Sequence, residues 1–158
     1  MEDPTHHGAP APTDDPWLRS YAQLLGYLGW TPLAALLVLS WLSPERSAPF
    51  LRVSLLYTAA LLSFIGGIQW GLALRSGNQR IRLRRLVVSM VPTLWAVAAL
   101  LVPVGLGLLA LVLGLVVLLI YETLERGDAV YPTWYLPLRV RLTALVIVTL
   151  SAWLLMPL

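Results

Sequence analysis

The sequence predicts an all-α integral membrane bundle of five transmembrane helices, amino terminus inside and carboxyl terminus outside. Three observations lead there. Of 158 residues, 58% are hydrophobic and 12% charged, against roughly 45–50% and about 25% in soluble domains; mean hydropathy is +0.77. Apolar runs long enough to cross about 30 Å of hydrocarbon recur along the chain. The charges gather between and beside those runs instead of spreading through them. This composition excludes a disordered or collagen-like chain and argues against a soluble enzyme. With no cysteine present, disulfide and thiol chemistry are excluded as well.

Residues 1–18 are rich in proline and acids and predict a disordered cytoplasmic tail. They lack the basic start of a signal peptide, and the run that follows is too long for a cleaved apolar segment. His6 and His7 lie here near Asp3, Asp14 and Asp15. Adjacent histidines on a flexible tail have no fixed geometry, so no metal site is predicted.

Residues 19–158 then form one transmembrane domain with spans at about 20–42, 50–74, 86–102, 105–121 and 138–157. The third and fourth are halves of one apolar block, 86–121, which as a single helix would run to roughly 54 Å. Pro103, Val104 and Gly105 at its middle make it a helical hairpin instead. Pro32 and Pro92 lie inside spans and free the carbonyls of Leu28 and Val88, with Thr31 and Thr93 placed to re-satisfy the backbone.

Arginine placement sets the orientation. All 11 basic residues are arginine, and five of them (Arg75, Arg80, Arg82, Arg84, Arg85) crowd the loop between the second and third spans. With five spans and the amino terminus inside, these join Arg19, Arg126, Arg139 and Arg141 on the inner side, leaving Arg46 and Arg52 outside. The positive-inside bias selects this topology over a four-span one. The net charge of +3 is therefore explained by a cytoplasmic loop facing anionic lipid headgroups, and nucleic acid is not an expected partner.

No Asp, Glu, Lys or His falls in the interior of a span so defined, and Arg52, Arg139 and Arg141 sit in first turns from which they can snorkel outward. Proton relays and ion-coupled carriers usually need such a group within the membrane. No serine–histidine, serine–lysine or paired-aspartate arrangement is available for catalysis either. No catalytic residue, cofactor or metal is expected.

Small residues recur on the second span at Ala59, Ser63, Gly67 and Gly71, and on the fourth at Gly107, Ala110 and Gly114. Such stripes let helix backbones approach closely, and the two are expected to pack on each other within the chain. Beside the first stripe, Gln69 and Trp70 share the inner leaflet with Trp134, Tyr135, Arg139 and Arg141 at the start of the last span. Aromatic residues there suit the headgroup level and the arginines suit phosphates. These six are the candidate ligand or lipid contacts, with Tyr121, Glu122 and Arg75 as expected neighbours.

The segment Ser63-Phe64-Ile65-Gly66-Gly67-Ile68-Gln69-Trp70-Gly71, the earlier LGYLGWTP and the later PTWYLPLRVRLT together resemble the bacterial domain-of-unknown-function family 3429, which includes a small mitochondrial transmembrane relative. The resemblance runs from about Tyr21 to the end. It implies a small multi-span inner-membrane protein and supplies no activity. The family often has histidine where this chain has Gln69, so no imidazole-based role carries over.

The expected function is that of a non-enzymatic accessory or structural component of the bacterial cytoplasmic (inner) membrane, packing with a larger membrane complex. The alternative is a binder or carrier of a lipid-like or quinone-like small molecule at the cytoplasmic leaflet. A pocket between the second and fifth helices would favour the alternative.

Overall fold

The computed structural model describes residues 15–125 and 131–155. Five helices are long and apolar enough to cross a membrane: α1 (Pro16–Leu42), α2 (Ser47–Arg75), α3 (Gln79–Leu100), α4 (Val104–Leu124) and α5 (Tyr135–Ala152). A 3₁₀ turn, Pro44–Arg46, joins α1 to α2, and a second, Trp153–Leu155, follows α5. No strand occurs among the described residues.

Two helices begin at a side-chain cap. The Asp15 carboxylate accepts the Trp17 amide at 2.9 Å and Pro16 occupies the first turn, a pairing suited to a helix start. Asn78 caps α3 by accepting from the amides of Arg80 at 3.0 Å and Ile81 at 3.4 Å. Inside α1, Pro32 is accommodated as expected, the Thr31 hydroxyl donating to the Leu28 carbonyl at 2.7 Å.

Helix limits differ from the apolar runs in an instructive direction. Of the expected tail, residues 1–14, with His6 and His7, lie outside the described residues, whereas Pro16 to Leu18 already belong to α1. The third helix starts at Gln79 instead of 86, the fourth continues to Leu124 past Tyr121, and the fifth starts at Tyr135 instead of 138. A run of apolar residues ends at the first charge; a helix does not, because arginine and glutamate are good helix formers. These added turns carry Arg85, Glu122 and Tyr135 into the bundle.

The helices close into a ring, each packing on the next in sequence and α5 returning to α1, while α2 and α4 also meet across it. The core runs along that seam: Leu51, Leu55, Ala59 and Leu62 from α2, Leu108, Leu111, Leu115 and Leu118 from α4, Ala96 and Ala99 from α3, and Leu33, Val146, Leu150 and Trp153. Polar bonds also join neighbouring helices. Trp30 Nε1 donates to Thr149 Oγ1 at 3.0 Å, the Tyr57 hydroxyl to the Gly29 carbonyl at 2.8 Å, and Trp95 Nε1 to the Ala110 carbonyl at 2.7 Å.

The small-residue stripes behave differently from expectation. On α4 the close approaches are present. A Cβ on Gly107 would lie 2.5 Å from the Ala99 carbonyl oxygen, and one on Gly114 would lie 2.8 Å from Leu62 and from the Trp95 ring. On α2, Ala59 is in the core, but Ser63 only bonds its own Ala59 carbonyl at 3.0 Å. Gly67 and Gly71 are exposed, with nothing within 4 Å of a Cβ. The close contact falls one residue earlier, at Gly66, where a Cβ would meet the Pro92 ring at 2.8 Å. Pro92 projects its ring into α2, and that contact fixes which glycine faces inward.

Candidate functional site

One polar layer lies at the end of the bundle shared by the close of α2 and α4 and the start of α3 and α5. Its members follow from spacing. The inward residues of α4 are Leu108, Leu111, Leu115, Leu118 and Glu122; those of α3 are Arg85, Ser89, Pro92, Ala96 and Ala99; on α5, Arg139, Thr143, Val146 and Leu150 follow the same alternation of threes and fours. A helix that buries one stripe buries whatever occupies its last position. Glu122 is 0% exposed, Gln69 1%, Arg85 3% and Arg139 6%.

Glu122 and Arg139 pair across α4 and α5. Arg139 Nε donates to Glu122 Oε2 at 3.1 Å, and Arg139 Nη1 donates to Thr143 Oγ1 at 2.6 Å. The Tyr135 hydroxyl donates to Glu122 Oε1 at 3.3 Å. Tyr135 stacks on Tyr131 with ring centroids 4.6 Å apart and planes 3° from parallel, and the Tyr131 hydroxyl accepts from Gln69 Nε2 at 3.0 Å. Burial pushes the Tyr131 phenol above its ordinary value, an effect the Gln69 hydrogen bond partly offsets. On the other side of the layer, Arg84 Nη2 bonds Glu125 Oε2 at 2.6 Å, with Arg85 Nη2 3.9 Å from the same oxygen.

Beside this network a cavity of about 370 Å³ opens between α1, α2 and α5. Its walls are apolar, with Leu25 and Trp30 from α1, Leu61 and Ile65 from α2, and Leu138 and Leu142 from α5. Gly29 lies on its α1 side, and a Cβ there would meet nothing within 4 Å. At one end stand Trp134, Tyr135, Arg139 and Thr143. Arg139 Nη2 and Trp134 Nε1 are buried there without a hydrogen-bond partner among the described residues. Buried donors of this kind strongly favour an acceptor. The chamber thus combines an apolar body with an end that carries two unpartnered buried donors, one of them on the guanidinium that pairs with Glu122.

Of the six expected contacts, Trp134, Tyr135 and Arg139 line this cavity. Gln69 joins the network through Tyr131 instead. Trp70 is 48% exposed and Arg141 is also exposed, both away from the lining. Arg75 is exposed, Tyr121 is half-buried and Glu122 is buried. Arg139 was expected to snorkel outward; it turns inward because its helical position continues the buried stripe and Glu122 awaits it there. A buried carboxylate therefore does lie within a membrane-length helix, contrary to the reading that ended the fourth span at Tyr121. Glu122 was an expected neighbour and proves to be a buried member of the layer; Arg85, Tyr131 and Thr143 were not among the expected contacts, although heptad-like spacing marks Arg85 and Thr143 as inward.

Neither the curated proteins nor the solved structures contain a match to the chain. One family profile does match, over residues 18–155, and its description is "Protein of unknown function (DUF3429)". That span takes in α1 from Leu18 onward, the other four helices and the whole polar layer, and the chain belongs to the DUF3429 family.

Proposed function

We propose that this chain binds a lipid-like or quinone-like small molecule at the cytoplasmic leaflet of a bacterial inner membrane. In this reading the amino terminus is inside, the carboxyl terminus outside, and the arginine-rich end of the bundle faces the cytoplasm, as the positive-inside bias requires. One observation carries the reading: Arg139 Nη2 and Trp134 Nε1, both unpartnered, stand at the end of an otherwise apolar cavity. A ligand's acceptor oxygens would meet these donors while its hydrocarbon body lies along α1, α2 and α5.

The test uses native mass spectrometry of protein extracted in mild detergent. Wild type should carry an amphipathic adduct that survives detergent exchange. Gly29→Leu, which places four carbons in the cavity and keeps the carbonyl that Tyr57 uses, should lose it. Gly67→Leu, on an exposed face, should retain it. An equal adduct on the Gly29→Leu protein would remove the proposal.

A second reading, the accessory component of a larger membrane complex, is favoured by Ser63, Gly67 and Gly71. The two glycines of this α2 stripe are exposed and pack on nothing within the chain, a surface suited to a helix from a partner. Cross-linking from Gly67→Cys to a second protein would support it, and recovery of the monomer alone from several mild detergents would count against it.

A further inference from the structure

We infer that the α1/α2/α5 cavity takes a single-chain amphiphile with an anionic head, and that its binding is coupled to uptake of one proton by Glu122. The inference rests on the proposed binding function and adds the charge of the ligand and the regulation of the site.

The geometry assigns the coupling to three groups in a row. Arg139 lines the cavity, and on its other side its guanidinium holds Glu122 at 3.1 Å. Its third nitrogen, Nη2, is unpartnered. Without ligand, the buried cation and buried carboxylate neutralise one another. An anionic head bound at Nη2 brings a second negative charge to the same guanidinium, away from water, with Glu122 wholly buried behind it. Two anions sharing one cation in a low-dielectric site do not both stay ionised; one takes a proton, as in paired carboxylates. A strong-acid head cannot take it, so the proton from the aqueous phase adds to the Glu122 carboxylate. Arg139 then serves the ligand, and the neutral acid keeps its hydrogen bonds. Ligand and proton enter together and the site stays electroneutral.

The surroundings leave Glu122 as the acceptor. From α5 it faces Arg139 and Tyr135. Tyr131 lies one ring further on, stacked on Tyr135, and Arg85 from α3 and Tyr121 from α4 are charged or titratable neighbours of Tyr131. The α2 contribution is the uncharged Gln69, through Tyr131. Glu125, the other acid of the layer, is held in the separate ion pair with Arg84.

Dodecanesulfonate is a suitable probe because its one charge does not titrate between pH 5 and 9. Binding to the full chain in a neutral detergent is followed by calorimetry in two buffers of different ionisation heat, which counts protons taken up. Wild type should take up close to one proton per sulfonate, with Kd rising up to tenfold per pH unit as pH increases, as one linked proton requires. Glu122→Gln should bind without proton uptake and with a Kd independent of pH. Glu125→Gln should keep the linkage. Methanesulfonate, a head without a chain, should not bind; binding as tight as that of dodecanesulfonate would overturn the amphiphile class. Dodecanol binding that matches dodecanesulfonate, or sulfonate binding with no proton uptake by wild type, would overturn the inference while leaving the proposed function intact. Failure of both dodecyl probes to bind would overturn the proposed function and this inference together.

Discussion

Removing Arg139 should expose how much the polar layer contributes to stability. In Arg139→Ala, Glu122 keeps its burial and its Tyr135 hydrogen bond but loses its counterion. At the observed 3.1 Å the attraction is about 5 kcal/mol for an effective dielectric of about 20. The mutant has an escape: Glu122 can take a proton. From a solution value of about 4.3, that protonation costs about 4 kcal/mol at pH 7, which sets an upper limit on the electrostatic loss. Destabilisation of about 3–4 kcal/mol is therefore expected, within the range found when buried pairs lose one partner. Lowering pH makes protonation cheaper by about 1.4 kcal/mol per unit, so the mutant's deficit shrinks toward pH 5 and wild type changes less. Reversible unfolding by urea in a neutral detergent, repeated at pH 7 and pH 5.5, measures both quantities. A deficit below about 1 kcal/mol at pH 7, or one that does not change with pH, would refute the reasoning. The double replacement Glu122→Leu with Arg139→Met removes both charges and should recover most of the loss, because apolar substitutes for a buried pair are often neutral or stabilising.

Other outcomes follow from the packing. Gly107→Ala should destabilise by about 1–3 kcal/mol, since its Cβ would strike the Ala99 carbonyl at 2.5 Å in the α3–α4 hairpin; the same assay should find Gly67→Ala within about 0.5 kcal/mol of wild type, as at an open surface position. Trp30→Phe, which removes the donor to Thr149, should cost about 0.6 kcal/mol and no more than about 1.7, the span seen for interhelical bonds in membranes; a larger loss in the same unfolding assay would show that packing dominates there. Reporter fusions at Leu155 should place the carboxyl-terminal end outside the cytoplasm, and an inside signal would overturn the arginine-based orientation.

The five-helix architecture was legible because run length against bilayer thickness is a coarse, robust measure, and Pro103 resolves the one block too long for a single span. Helix ends were less legible. Apolar runs stop at Leu86 and Tyr121, while the helices continue through Arg85 and Glu122, whose backbones have no reason to break. That difference hid the burial of the site's ion pair: Glu122 and Arg139 were both expected near the cluster, but at the membrane surface and not inside the bundle. The stripe of Leu108, Leu111, Leu115 and Leu118 does point to Glu122, and Thr143 and Val146 point back to Arg139 in the same way. The choice between Gly66 and Gly67 as the packed glycine was not legible: it depends on where the Pro92 ring of another helix arrives. The cavity was beyond reach for a similar reason, because it is a gap among three helices rather than a property of any one.

Photo-cross-linking in a native bilayer tests the binding claim most directly. An acyl amphiphile carrying a diazirine along its chain, added to membranes holding the full protein, labels what it rests against. Labelling concentrated on Leu25, Leu61, Ile65 and Leu142, in the cavity wall, and lost in Gly29→Leu is the result predicted. Labelling spread evenly over outward residues such as Leu94 and Val148, unchanged by that substitution, would contradict it.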